Sequence, residues 1–128
     1  MDVEAFLEGM PFTDLLGVEV TAVGDGRAEG RLEMRPELSW NEESVVAHGG
    51  VTFTLADTVG GAALLSRVDQ PVPTVDMRID YLEGGTGDLR AVGEVVRLGS
   101  DVGVVDVDVF AEADDTLVAD ARGVYKTG

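Results

Sequence analysis

The chain has 128 residues, 45% hydrophobic and with no cysteine. That size and composition predict one domain, residues 1–128, with an ordinary packed core, and they exclude disulfides, thiolate metal sites and a cysteine nucleophile. Asp and Glu number 25 against 9 Lys plus Arg, a net charge of −16, which opposes binding to nucleic acid or to anionic membranes. Only one basic residue, Lys126, is a lysine. So acidic and lysine-poor a chain predicts a halophilic protein, because salt screens the self-repulsion of an acidic surface.

The first residues, Met1-Asp2-Val3-Glu4, are acidic where a signal peptide is basic, so a cytoplasmic location is expected. Residues 2–9 alternate charged and apolar side chains at helical spacing and stop at Gly9-Met10-Pro11. A helical turn is expected over Thr13–Leu16. Val18–Val23 and Arg27–Met34 read as strands joined by the hairpin signal Gly24-Asp25-Gly26, and Pro36 ends the second. Residues 37–47 read as a loop running into a helix. After that helix the strands expected are Thr74–Leu82, Leu89–Leu98, Val102–Ala111 and Leu117–Tyr125, separated by Gly- and Asp-rich turns. In the first of them Val75, Met77, Ile79 and Tyr81 alternate with Thr74, Asp76, Arg78 and Asp80, the pattern of a half-buried strand. The series hairpin, long helix, antiparallel meander predicts an α+β fold with the helix packed on one curved sheet.

The segment 44–66, SVVAHGGVTFTLADTVGGAALLS, carries one formal charge, Asp57. Its polar residues (His48, Thr52, Thr54, Asp57, Thr58) and frequent glycines argue against a transmembrane span and for a buried central helix that starts at His48-Gly49-Gly50 and ends at Ser66-Arg67. Gly60-Gly61 inside it costs about 1 kcal/mol per glycine relative to alanine, which calls for close approach of a backbone or ligand. At helical spacing Asp57 neighbours Phe53, Thr54, Gly60 and Gly61, with Leu55, Val59 and Ala62 opposite. One face suits a sheet and the other a cleft. A carboxylate so placed is expensive unless it is paired, hydrated or used. Two readings stand: a structural Asp bonded to a neighbouring strand or subunit, or a reactive carboxylate.

His48-Gly49-Gly50 places free N–H groups at the helix start, where negative charge is favoured. These donors can polarise a carbonyl and stabilise an oxyanion, or simply begin a helix. His48 is the only histidine and is read as an orienting hydrogen-bond partner rather than a base. One His and no Cys leave no metal cluster, and no cofactor is expected.

The run HGGVTFTLADTVGGAAL resembles the hotdog-fold thioesterases, specifically the phenylacetyl-CoA thioesterase (PaaI-type) subfamily. The matching residues are Asn41, His48-Gly49-Gly50, Leu55-Ala56-Asp57 and Thr74-Val75-Asp76, and the strand order agrees over essentially the whole chain. The resemblance implies a hotdog fold, a long central helix wrapped by a curved antiparallel sheet, and hydrolysis of a small or aromatic acyl-CoA. It implies that Asp57 activates water or attacks directly, that the Gly49 N–H holds the thioester oxygen, that Asn41 assists near the carbonyl and that Thr74 helps position water. It also implies a homodimer or homotetramer with the site between two subunits, Asp57 and Thr74 from one, Asn41 and Gly49 from the other. Gly50, Phe53 and Trp40 are candidates to contact substrate. Many relatives carry a basic residue where this chain has Gly99-Ser100-Asp101, so Arg78, Arg90 and Arg97 are the candidates to meet CoA phosphates.

Two other functions are compatible with the same fold. A hotdog dehydratase or hydratase needs a His paired with an acid across the site, and His48 is the only one present. A non-catalytic acyl-thioester-binding protein has no need of a carboxylate beside the carbonyl.

Overall fold

A computed structural model describes all residues, 1–128. Two short helices, α1 (Val3–Glu8) and α2 (Pro11–Leu16), come first. The side chain of Asp2 caps α1 by accepting the Ala5 N–H, and Gly17 ends α2 in the left-handed region at φ 81°. Pro11 opens α2, where its missing N–H costs nothing. Strands β1 (Val18–Gly24) and β2 (Arg27–Leu32) follow. Asp25 and Gly26 between them have φ of 53° and 76°, the primed-turn geometry that matches strand twist. β2 stops at Leu32, short of the expected Met34, because the Met34 N–H turns to Asp88 Oδ1 at 2.8 Å.

A single 3₁₀ turn, Pro36–Leu38, and a loop lead into helix α3 (Gly49–Leu65). The remaining strands are β3 (Thr74–Tyr81), β4 (Leu89–Leu98), β5 (Val102–Ala111) and β6 (Leu117–Lys126). They form one antiparallel sheet in the order β1-β2-β4-β5-β6-β3. The expected meander therefore comprises β4–β6 alone: β2 pairs with β4, and β3 joins the far edge beside β6. α3 and its connection carry the chain across the sheet, so that it re-enters on the other side. The result is the expected α+β architecture of one long helix against one antiparallel sheet.

The core lies between α3 and that sheet. Leu55, Ala56, Val59, Ala62, Ala63 and Leu64 are fully buried and pack with Ala28, Leu32, Ala91, Val105, Val107 and Val109. Burial of Leu55 or Val59 contributes about 2 kcal/mol each. The helix sits close: a Cβ at Gly30 would come within 2.6 Å of Val59 Cγ2, so that strand position must lack a side chain. No helix is long and apolar enough to cross a membrane.

Candidate active site

α3 begins on a side-chain cap. His48 Nδ1 accepts the Gly50 N–H at 2.9 Å, and the His48 carbonyl accepts the Val51 N–H at 2.9 Å. The Gly49 N–H takes no partner within the chain. It is the first residue of the helix, where N–H groups lack intrahelical acceptors and the dipole favours negative charge. The Gly49 carbonyl accepts the Tyr81 hydroxyl at 2.7 Å, which pins the first peptide of α3. Burial pushes the Tyr81 phenol up, so it remains a neutral donor. His48 Nδ1 is thus committed to the helix cap.

Two turns along, Asp57 is half-buried on the open side of α3. Its Oδ1 accepts the Thr74 hydroxyl at 2.7 Å. The neighbouring threonines are spent locally: Thr54 Oγ1 donates to the Gly50 carbonyl at 2.8 Å and Thr58 Oγ1 to the Thr54 carbonyl at 2.7 Å, a back-bonding habit of hydroxyls in helices. Asp57 is therefore the one charged acceptor on this face. It opens onto a cleft of about 470 Å³ whose walls include Phe6, Met10, Phe12, Phe53, Val72 and Tyr125. A carboxylate bordering an apolar cleft, held by one hydroxyl and with its other oxygen free, can take a proton from water or attack a carbonyl. A larger groove of about 780 Å³ between α1, α2 and β1 is edged by Glu4, Glu8, Asp14 and Glu19. That ring of carboxylates suits neither an acyl chain nor a polyanionic ester.

The structure brings Asp57, Thr74 and Phe53 together. It sets Gly49 and Gly50 apart from them within one chain. Residues 49 to 57 of α3, at about 1.5 Å rise per residue, separate the Gly49 N–H from Asp57 by roughly 12 Å along the axis. Asn41 lies in the loop before α3, where its Oδ1 accepts the backbone N–H groups of Glu43 (2.9 Å) and Ser44 (2.8 Å). Trp40 is 64% exposed beside it, on a separate shallow hollow. Arg78 points from the sheet's outer face, pairs with Asp80 at 3.2 Å and stands across from Arg122, on the opposite side of β3 from Thr74. Arg97, also on that face, makes no ion pair with any carboxylate, whereas Arg90 is bound to Asp115 at 3.0 Å.

One expectation about α3 needs correcting. Gly60 is not on the open face with Asp57 but buried against β6 and β5, where an added Cβ would overlap the Tyr125 hydroxyl and come within 3.3 Å of Val107. The helix turn at Asp57 is thus closed from below by Tyr125, a residue read from the sequence only as the end of a strand. Its signal was present: Tyr125 alternates with Gly123 and Ala121, one large side chain on an otherwise small inward face. Leu64 is fully buried core, and Met77 packs against that core.

The family model of the thioesterase superfamily matches residues 46–118. The chain belongs to the thioesterase superfamily. This thioesterase is 35% identical to a Halobacterium salinarum protein named as an esterase, over 97% of its own length and 89% of the relative's. It is 28% identical to the medium/long-chain acyl-CoA thioesterase YigI of Salmonella typhimurium, over 98% and 90% of the two chains. Its fold superposes on the Escherichia coli PaaI protein of the phenylacetic acid degradation operon with a TM-score of 0.86, at 25% identity over 97% and 88% of the chains. The hotdog fold and thioester hydrolase chemistry expected from HGG and the helix aspartate hold for this thioesterase.

Proposed function

We propose that this thioesterase hydrolyses acyl-CoA to free acid and CoA at a site shared by two copies of the chain, each a single domain. Asp57 of one copy activates or delivers the attacking oxygen. Thr74 orients that carboxylate and its water. The Gly49 N–H of the other copy receives the developing oxyanion, where a preorganised donor typically contributes about 100-fold or more. The acyl group occupies the cleft lined by Phe6, Met10, Phe12 and Phe53, which suits a small or aromatic acyl group and equally an aliphatic one. Asn41 offers its amide N–H₂, since its Oδ1 is occupied in its own loop. Arg97 and, across the sheet, Lys126 make no ion pair and are the cations assigned to meet phosphates; Arg67, also without an ion pair, donates instead to the Asp25 carbonyl. The reaction is placed in the cytoplasm with the CoA ester pool.

The observation that carries this reading is the Asp57–Thr74 hydrogen bond of 2.7 Å at the mouth of an apolar cleft. Sharing between copies is supported by the separation of Asp57 from Gly49 along α3, and by β3, an edge strand with Val75, Tyr81 and the following Leu82 at least half exposed. Such an edge is a template for another strand.

The test is free-thiol release from a panel of short, branched, aromatic and longer acyl-CoAs in high salt, with wild type and Asp57→Asn. The variant is expected to fold and to lose at least about 100-fold in turnover, the scale of a lost acid–base group. Retention of more than roughly a tenth of activity makes Asp57 structural and the mechanism wrong.

A further inference from the structure

We infer that Tyr125 is the positioning residue for Asp57, fixing the helix turn from which the carboxylate reaches the thioester. The inference rests on the reading of Asp57 given above.

Asp57 is held at two points. Its carboxylate accepts the Thr74 hydroxyl at 2.7 Å, and its main-chain carbonyl accepts the Tyr125 hydroxyl at 2.8 Å. The two donors are cross-strand partners, since Thr74 of β3 pairs in register with Tyr125 of β6. One rung of the sheet therefore holds both the side chain and the backbone of the aspartate. A carboxylate anchored only by its tip can swing with the helix turn that bears it. Fixing the peptide carbonyl as well removes that freedom, and placement to within a fraction of an ångström is what an attacking group needs.

The surroundings of the phenol fit this role. Tyr125 is 1% exposed. Burial, and then the negative charge of Asp57, hold its hydroxyl far above the ordinary phenol range, so it donates at every working pH. Two glycines make room for the ring. An added Cβ at Gly60 would overlap the hydroxyl, and one at Gly123 would lie 2.6 Å from Cε1 and 2.9 Å from the hydroxyl oxygen. A glycine inside a helix and another inside a strand are unfavourable for each element by itself. Their coincidence around one hydroxyl is accounted for by the contact that they permit. A phenylalanine would fill the same space without reaching the carbonyl, so packing alone does not require the oxygen.

The test compares Tyr125→Phe with wild type in saturating and limiting acyl-CoA, each also in the Asp57→Asn background. Loss of positioning is expected to lower kcat by about tenfold or more with KM within about twofold, and to have no further effect once Asp57 is gone. Val109→Ala, a core truncation outside the site, serves as a control that lowers the melting temperature and leaves kcat unchanged. Gly60→Ala, which displaces the hydroxyl while keeping the tyrosine, is expected to reproduce the kcat loss. An unchanged kcat in folded Tyr125→Phe overturns the inference and leaves the Asp57 reading standing. So does an equal loss in both backgrounds, which marks a structural effect. If both Tyr125→Phe and Gly60→Ala fail to fold, the contact serves stability and the inference falls. Full activity in Asp57→Asn overturns the catalytic reading itself, and the role of Tyr125 with it.

Discussion

In the proposed reaction Asp57, Thr74 and Gly49 carry the chemistry, and the structure allows each role to be tested by removing the group. Gly49 is the sharpest case. It is the first residue of α3, its N–H is unbonded, and His48 before it has φ −57° and ψ 141°. Proline is favoured at that helix position, and the residue before a proline prefers such an extended conformation. Gly49→Pro therefore deletes the proposed oxyanion donor while leaving the helix start intact. The added ring must displace Tyr81, since a Cβ there would come within 3.3 Å of its Cζ and hydroxyl, a shift that an exposed side chain can make. Turnover is expected to fall about 100-fold with helix content by circular dichroism unchanged. Near-wild-type turnover would show that the Gly49 N–H does not touch the thioester oxygen.

The same scale governs one pH effect. Asp108 on β5 stands directly across from Asp120 on β6, which stands across from Asp80 on β3. Burial, then the hydrogen bond with and the charge of Asp120, raise the Asp108 pKa. A carboxyl whose folded value lies above its unfolded value contributes stability that is complete below the unfolded value and lost as pH rises through the folded one. At neutral pH Asp108 is therefore a net cost. Opposed like charges cost up to about 1 kcal/mol, and solvent screening of this exposed pair reduces that to about 0.5 kcal/mol. Asp108→Asn is expected to melt slightly above wild type at pH 7 in dilute buffer and equal to it near pH 3, below the ordinary Asp value of about 3.9. A gap that persists unchanged at low pH would assign it to packing instead.

At the scale of elements, α3 does two jobs in the proposed site, one at its start and one at its middle, and β3 is the proposed junction between copies. The helix start presents a donor and its middle presents the carboxylate, too far apart to meet on one carbonyl. The expectation of a shared site can be tested with two dead variants. Asp57→Asn and Gly49→Pro are each defective in every site of their own homodimer. Mixed after unfolding and refolding, they form hybrids in which one site takes both intact groups and the other takes both defects. With random pairing, activity should recover to about a quarter of wild type. Absence of recovery, with hybrids present by native mass spectrometry, would place Asp57 and Gly49 in separate functions.

For the whole molecule the governing quantity is its charge of −16. Most arginines are already neutralised locally, Arg31 by Asp88 and Glu112, Arg27 by Glu29 and Glu94, Arg122 by Asp106. The uncompensated acids lie on a surface that repels a second copy and repels CoA. The Debye length shrinks from about 10 Å at 0.1 M to about 3 Å at 1 M salt. Molar KCl is therefore expected to strengthen assembly and to lower the apparent KM for CoA esters, against the usual trend for phosphate ligands on basic patches. Thiol-release kinetics from dilute to molar KCl (roughly 0.1 to 3 M) check it. A KM that climbs steeply with salt would mean that Arg97 or its neighbours bind the phosphates strongly enough to outweigh the surface.

The sequence by itself determined the elements and singled out the candidate centre of the site. Period-two alternation marked the strands, Asp25-Gly26 marked the hairpin, and a lone charge in a glycine-rich apolar run marked Asp57. All of these are local signals, because strand alternation, turn dihedrals and the cost of burying a charge depend on near neighbours. The tertiary structure alone decided which strand lies beside which. Nothing in residues 74–81 says that they join the far edge beside β6 rather than sit next to β4, since strand pairing is set by how the helix connection closes across the sheet. The same long-range closure placed Thr74 against Asp57 and inserted Tyr125 beneath it, and it put Gly60, legible only as a costly glycine, against the hydroxyl that requires it.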